Sequence, residues 1–416
     1  MKRKIRCKKK IIYIIMILMV VAIFCIYQKS IELSQKRSTE IIRLKEKIKK
    51  AKKRGYDIPI EEKEKKESEN DCKKVMELTR DIYKNAEKGT ALNVVLSDNT
   101  ILKMRDKLKK TKCPVTTTVF YSDMGNYQNM DRFLKESVKG EKGSIVAYNI
   151  CSDGSIARMK YIFDGTCMYL LNTNVIWNKN YDLQMTYISY TRIKDWKYTH
   201  KGWFCYELCV PEPPEVSEVI DGSCLVRVKP MTEEQRRMSQ KCVKELGYQG
   251  NNLLCSNWDT KHMQDLDYNG MFEYLYQMKH KKEFPFERYP DGVPKEQFEH
   301  LIMDYLPITA EQIQTYAVFD DKKQTYPLEQ LKCGNYSPTF FGTSLPEVTD
   351  VRKNKDGTVT LTVDAVCDMV VCDDAVITHK LTVRFQKDGS FQYLSNKILN
   401  GGIRKIPDYQ YRVNRK

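Results

Sequence analysis

Apolar and polar positions alternate with period two along several long stretches of this chain, and those stretches close each of two halves. In the first half, Ile145 to Ile150, Ser155 to Phe163, Thr166 to Trp177, Leu183 to Tyr198 and Trp203 to Val210 all read as strands, rich in aromatic and β-branched residues. Asp153-Gly154 and Asp164-Gly165 supply the positive φ values of tight hairpin turns, so the pattern predicts an antiparallel meander. Helical periodicity precedes it. Cys72 to Ala86 carries Val75, Met76, Leu78, Ile82 and Tyr83 on one stripe; a second helix starts near Asp98, and a short third covers Asn129 to Val138.

The second half repeats that order. Thr232 with Gln235, and Thr309 with Gln312, have capping-box spacing, the first opening a helix to about Leu246. Met271 to His280 is another helix, and Pro294 suits a first turn ahead of Phe298, Leu301, Ile302 and Tyr305. Strands follow at Thr358 to Ala365, Ile377 to Phe385 and Ser390 to Leu394. One wet and one buried face per strand predicts an α+β fold with helices packed on antiparallel sheets. The cluster Pro211, Pro213 and Pro214 divides a first domain, 71–212, from a second, 213–416.

The N-terminus follows neither period. Residues 1–10 hold seven Lys or Arg, and Ile11 to Tyr27 then runs without charge, proline or glycine. As a helix this stretch rises about 25 Å, enough to span a hydrocarbon core with Lys10 and Lys29 at the interfaces. Bulky Phe24 and Tyr27 disfavour a cleaved signal peptide, so residues 11–28 are expected to be an uncleaved transmembrane anchor in the lipid bilayer. The basic bias favours a cytoplasmic tail, 1–10, and an extracytoplasmic body, although six basic residues between 28 and 47 narrow that bias. Residues 29–70 read as a solvated helical stalk followed by a charged linker from Glu61 to Asn70. Ile41, Leu44, Ile48 and Ala51 follow coiled-coil spacing, over too few heptads to establish a dimer.

Charge changes the picture only near the membrane. The formal net charge is +16, but residues 1–67 carry 21 Lys or Arg against 8 Asp or Glu. The body is therefore close to balanced, which argues against nucleic acid as a partner.

Candidate chemistry is sparse. Asp265, Asp267 and Asn269 have the opening spacing of a calcium loop, with Gly270 at position six, but Tyr276 stands where a bidentate Glu is needed. The competing reading is an Asx turn that feeds the following helix. Among fourteen cysteines, Cys367 and Cys372 flank a turn between strands and form the candidate disulfide, with free thiols as the equal alternative. His379 falls on the apolar side of its strand. Near Asp373 and Asp374 it has the make-up of an acid–base group, against the simpler reading of a hydrogen-bonded core histidine. Nucleophile-elbow, Walker, dinucleotide and zincin motifs are absent from the sequence, so no catalytic residue and no cofactor is assigned.

The phrases Leu345-Pro346-Glu347-Val348, Asp356 to Val366, Thr378 to Arg384 and Asp388 to Asn396 resemble an uncharacterised family of membrane-anchored or exported proteins from anaerobic Gram-positive bacteria, over about 285–400. That resemblance implies a cell-envelope setting and no activity. The expected function is a single-pass, non-enzymatic binding or interaction module with another envelope protein as a partner. The alternatives are a transport or conjugation-channel subunit with nuclear-transport-factor-like domains, similar in architecture only, and an envelope hydrolase.

Overall fold

The predicted meander of the first half forms with all five of its strands, and gains one more at each edge. The computed structural model describes residues 27–32, 35–36, 38–40, 42–43, 45–89, 93–212, 222–331, 341–367 and 374–414. Strands β1 (Val115–Thr117), β2 (Gly143–Ile150), β3 (Ile156–Phe163), β4 (Met168–Trp177), β5 (Leu183–Tyr198), β6 (Trp203–Leu208) and β7 (Ser223–Arg227) follow one another in a seven-stranded sheet. Only β1 is parallel to its neighbour.

Helices α2 (Glu62–Lys84) and α3 (Asp98–Leu108) cover one face, burying Cys72, Val75, Met76, Ile101 and Met104 against Tyr148, Ile150, Ile156 and Val175. On the other face, α4 (Tyr127–Val138) buries Met130, Phe133 and Leu134 against Tyr161, Phe163, Phe204 and Tyr206. The Tyr161 ring on β3 lies 5.6 Å from Phe204 and 5.9 Å from Tyr206, both on β6. Two strands separate β3 from β6, about 14 Å in a flat sheet, so the sheet curls around its α4 face.

Two expectations about boundaries change. The segment Glu61 to Asn70, expected as a linker, supplies the N-cap and more than the first third of α2. Its charges are not solvated spacers. Glu64, Glu67 and Asp71 share one helix face and meet cations of β3: Arg158 lies 2.8 Å from Asp71 and 3.3 Å from Glu67, and Lys160 lies 2.7 Å from Glu64. β7 pairs with β6, so the first unit continues past 212 to about Arg227; a proline-containing connection returns to the same sheet.

The stalk also differs. Residues 27–54 are helical wherever they are described, and the continuous stretch 45–54 is α1. Ala51 and Ile58 are buried against Tyr169, so the end of the stalk docks on the sheet. The backbone joins there as well: Arg192 N–H donates to Gly55 O (2.7 Å) and Ile58 N–H to Tyr190 O (3.0 Å). Gly55 has φ +96°, and a Cβ on it would fall 2.6 Å from Cys209 Sγ, so the joint needs glycine. Ile41 and Leu44 of the expected seam, and Met1 to Ile26 with nearly all of the expected anchor, lie outside the described residues. Among those described, no helix is long and apolar enough to cross a membrane.

The second half starts with α5 (Glu233–Met238), which passes into one π turn at Ser239–Val243. Then come β8 (Trp258–Asp259), α6 (Tyr268–His280), β9 (Val293–Pro294), α7 (Lys295–Tyr305), α8 (Ala310–Tyr316) and β10 (Thr325–Tyr326). Both predicted capping boxes form, at Thr232/Gln235 and Thr309/Gln312. Strands β11 (Leu345–Lys353), β12 (Val359–Val366), β13 (Thr378–Phe385) and β14 (Phe391–Ile398) make an antiparallel meander, with β8 added beside β14. Stacked aromatics centre the helical layer: Phe298 lies 4.8 Å from Phe272 and 4.0 Å from Tyr326, centroid to centroid.

Candidate functional site

The cross-strand pairs of two sheets meet at the seam between the halves. On β6 and β7, Trp203 lies opposite Arg227 and Cys205 opposite Leu225. On β11 and β12, Leu345 lies opposite Val366 and Glu347 opposite Asp364. Trp203, Cys205 and Val366 form a small apolar cluster with Leu225 and Leu345, separate from the main cores. Around it the seam is ionic. Arg227 Nη1 donates to Glu347 Oε1 at 2.9 Å, Lys201 pairs with Asp364, and Arg236 of α5 pairs with Asp123. The Tyr121 hydroxyl donates across the seam to Pro346 O, and Arg236 Nε donates back to Tyr121 O at 3.0 Å.

A cleft of about 400 Å³ opens above this seam, within the range of small-molecule sites. Its lining includes Thr116, Thr118, Phe120, Trp203, Arg227 and Glu347. The loop after β1 is built to hold its shape. Thr118 N–H donates to Ile150 O (3.1 Å), Thr117 and Ser122 share a hydroxyl bond (2.9 Å), and Tyr121 takes φ +58°. A bulky residue in the left-handed region costs backbone energy, which the seam contacts of Tyr121 offset. The result is that Tyr121 points inward and Phe120 stands 55% exposed at the lip, with the Lys244 ammonium 5.6 Å from its ring centroid.

Below the lip, three polar atoms are buried without a hydrogen-bond partner: Arg227 Nε, Glu347 Oε2 and Trp203 Nε1. The Trp203 N–H sits near the Glu347 carboxyl without reaching hydrogen-bond geometry. Burial pushes Glu347 up to about 7; Arg227 opposes that shift, while the Asp364 carboxylate adds to it. Burial lowers Arg227 in turn, against the pull of Glu347. Buried polar groups in folded proteins are nearly always paired, so three unpaired ones in one place make this the candidate site.

The residues singled out from sequence lie elsewhere. Asp267 caps α6, accepting from Gly270 N (2.8 Å) and, through its other oxygen, from the Tyr409 hydroxyl (2.6 Å). Asn269 accepts from Val318 N and donates to Val318 O and Pro327 O, which ties α6 to a loop. Asp265 contributes its backbone carbonyl to Asn252 and Tyr411. Among the described residues, no three His, Cys, Asp or Glu side chains are grouped to hold a metal ion. Cys367 is buried at the end of β12, and Cys372 lies outside the described residues. Cys72, Cys242 and Cys255 are buried thiols pushed up to about 12 by desolvation, which suppresses thiolate chemistry.

His379 is fully buried between the Tyr248 hydroxyl (2.9 Å) and Asn396 Oδ1 (2.6 Å), and burial lowers it to about 4. Asp374 accepts from Lys201 N instead, and Asp373 is outside the described residues. Asp259 and His262 pair at 2.9 Å, but both are more than half exposed, and Asp259 also accepts from Lys261 N in a surface turn.

Sequence reading missed Trp203, Arg227 and Glu347 as a set. The available signal was a charged residue inside an apolar strand: Arg227 within Leu225-Val226-Arg227-Val228, and Glu347 between Pro346 and Val348. A family model matches residues 65–412, through both halves and every residue of the seam. The chain belongs to DUF6070, a family of unknown function. The DUF6070 match is far wider than the 285–400 stretch that carried the resemblance, and it includes the curled sheet as well as the second meander. No curated protein and no solved structure matches this DUF6070 chain.

Proposed function

We propose that this protein is a membrane-tethered, non-enzymatic binding module whose ligand site is the seam cleft. One observation carries the reading: buried, unpaired donors and an acceptor lie beneath a preformed cleft with an exposed aromatic at its lip. In this reading Ile11 to Tyr27 is the anchor, the basic tail is cytoplasmic, and the body faces the cell envelope of a Gram-positive bacterium. The near-balanced charge of the body and the strongly basic first 67 residues support that placement.

A photo-reactive phenylalanine at position 120 tests the site in cells: irradiation is expected to yield a defined adduct at the cleft. Absence of any adduct, with the protein folded and present, would remove the cleft as a binding site. Protease added to intact protoplasts is expected to degrade the body, and a protected body would overturn the topology.

A further inference from the structure

The unpaired atoms beneath the cleft describe the group that fits between them. Arg227 Nε–H and Trp203 Nε1–H are donors, and Glu347 Oε2 is an acceptor in the carboxylate form. They are neighbours: the Arg227 guanidinium carbon lies 5.1 Å from the Trp203 ring centroid, and Arg227 Nη1 lies 2.9 Å from the other Glu347 oxygen. Two donors and one acceptor on neighbouring side chains complement a hydroxyl, whose oxygen accepts two hydrogens while its own O–H donates one.

Other groups match less well. A trans peptide unit directs its C=O and N–H to opposite sides. An anion would have to sit against the Glu347 carboxyl, and a free cation against the Arg227 guanidinium. The floor pairs one guanidinium with one carboxylate, which suits a neutral ligand. Above it, the Thr116 and Thr118 side chains offer further hydroxyls, and Phe120 offers an exposed aromatic ring. An aromatic lip over a polar floor fits a molecule with an apolar C–H face and a hydroxyl-bearing edge.

We propose that the cleft binds a neutral saccharide, with one sugar hydroxyl meeting Arg227, Trp203 and Glu347 and the C–H face of the ring resting on Phe120. The proposal rests on the reading of the cleft as a ligand site. The three atoms are shielded from bulk solvent, so a ligand hydroxyl reaches them only when the Arg227 side chain, 14% exposed, moves aside.

The test uses the full chain in lipid nanodiscs. Chitobiose and maltose serve as free sugars, and soluble peptidoglycan strands as the polymer. Binding is read by saturation-transfer NMR and tryptophan fluorescence. Saturable binding of at least one probe is expected below about 10 mM, weakened about tenfold or more by Phe120→Ala and by Glu347→Gln. Thr118→Trp, an exposed change that fills the cleft, keeps the test decisive should Glu347→Gln fail to fold. Polymer binding without free-sugar binding would place the ligand in a glycan chain, and the reverse in free sugars; either supports the proposal. No binding by any probe, or binding untouched by both Phe120→Ala and Thr118→Trp, overturns it. A non-saccharide adduct at position 120 would remove the sugar but leave the cleft as a binding site. Absence of any adduct would remove both.

Discussion

Two buried arginines in this protein are treated in opposite ways. Arg158, fully buried in the first sheet, has all three nitrogens bonded: Asp71 accepts from Nε and Nη2, Ser68 accepts from Nη1, and Glu67 takes a further bond from Nη2. Arg227, at the seam, has one carboxylate partner and a bare Nε, and that carboxylate has a bare oxygen of its own. The first arrangement clamps α2 to β3. The second gives little stability for the charge it buries, because desolvation of an ion pair is offset only when its remaining hydrogen bonds are made. The contrast separates a buried charge whose partners are in place from one whose partners are incomplete.

Removing a partner from the satisfied arginine should do the most damage. Asp71→Ala is expected to cost about 3–5 kcal/mol in urea unfolding, since it removes two of the four hydrogen bonds of a guanidinium with no exposure at all and leaves Nε bare. A loss below about 1 kcal/mol would erase the distinction between the two arginines.

The next effect depends on pH. Glu347 titrates near 7 in the folded protein against an ordinary 4.5, so the native state holds its proton longer than the unfolded state. Its contribution is fully present below pH 4.5 and is lost as pH rises through 7, on the order of 3 kcal/mol in all. His379 runs the other way: lowered to about 4 from 6.5, its contribution is present above 6.5 and fades as pH falls toward 4. Glu347→Gln should therefore remove the loss between pH 4.5 and 7 and leave the acid-side loss, to which His379 and lowered carboxylates such as Asp131 and Asp164 contribute. An unchanged stability profile between pH 4.5 and 7 would mean that Glu347 is charged throughout.

Replacing the whole seam pair should matter less than breaking it. Arg227→Met combined with Glu347→Leu is expected to change stability by no more than about 1 kcal/mol, or to raise it, while abolishing ligand binding. A large loss of stability in the double variant would show that the pair is structural after all. The smallest effect on binding is expected at a cap away from the seam: Thr309→Ala should cost about 1 kcal/mol and leave binding at the cleft unchanged, as measured by the saccharide titration.

Strands were legible in the sequence where alternation and Asp-Gly turns agreed, as they do from β2 to β6 and from β12 to β14. β7 was hidden because it lies beyond a proline cluster that reads as a boundary. β11 was hidden because Pro346 interrupts its run; the proline is tolerated there because β11 is an edge strand, and its carbonyl accepts from Tyr121. The acidic start of α2 read as a linker because the cations that face it, Arg158 and Lys160, lie about 90 residues later in the chain. The site was illegible for the same reason on a larger scale. Arg227 and Glu347 are separated by 120 positions, and each looks like an isolated charge until two sheets bring them together.

The joint at Ala51, Gly55 and Ile58 has a mechanical meaning. It meets the sheet at β5, a strand with partners on both sides, so a tug on the N-terminal segment would load two hydrogen-bonded ladders before it could slide the strand. β5 then runs on to Tyr198, just ahead of the turn that carries Lys201 to its partner Asp364 at the seam. In the proposed reading, tension at the tether would therefore load the same strand that leads to the Lys201–Asp364 pair at the seam.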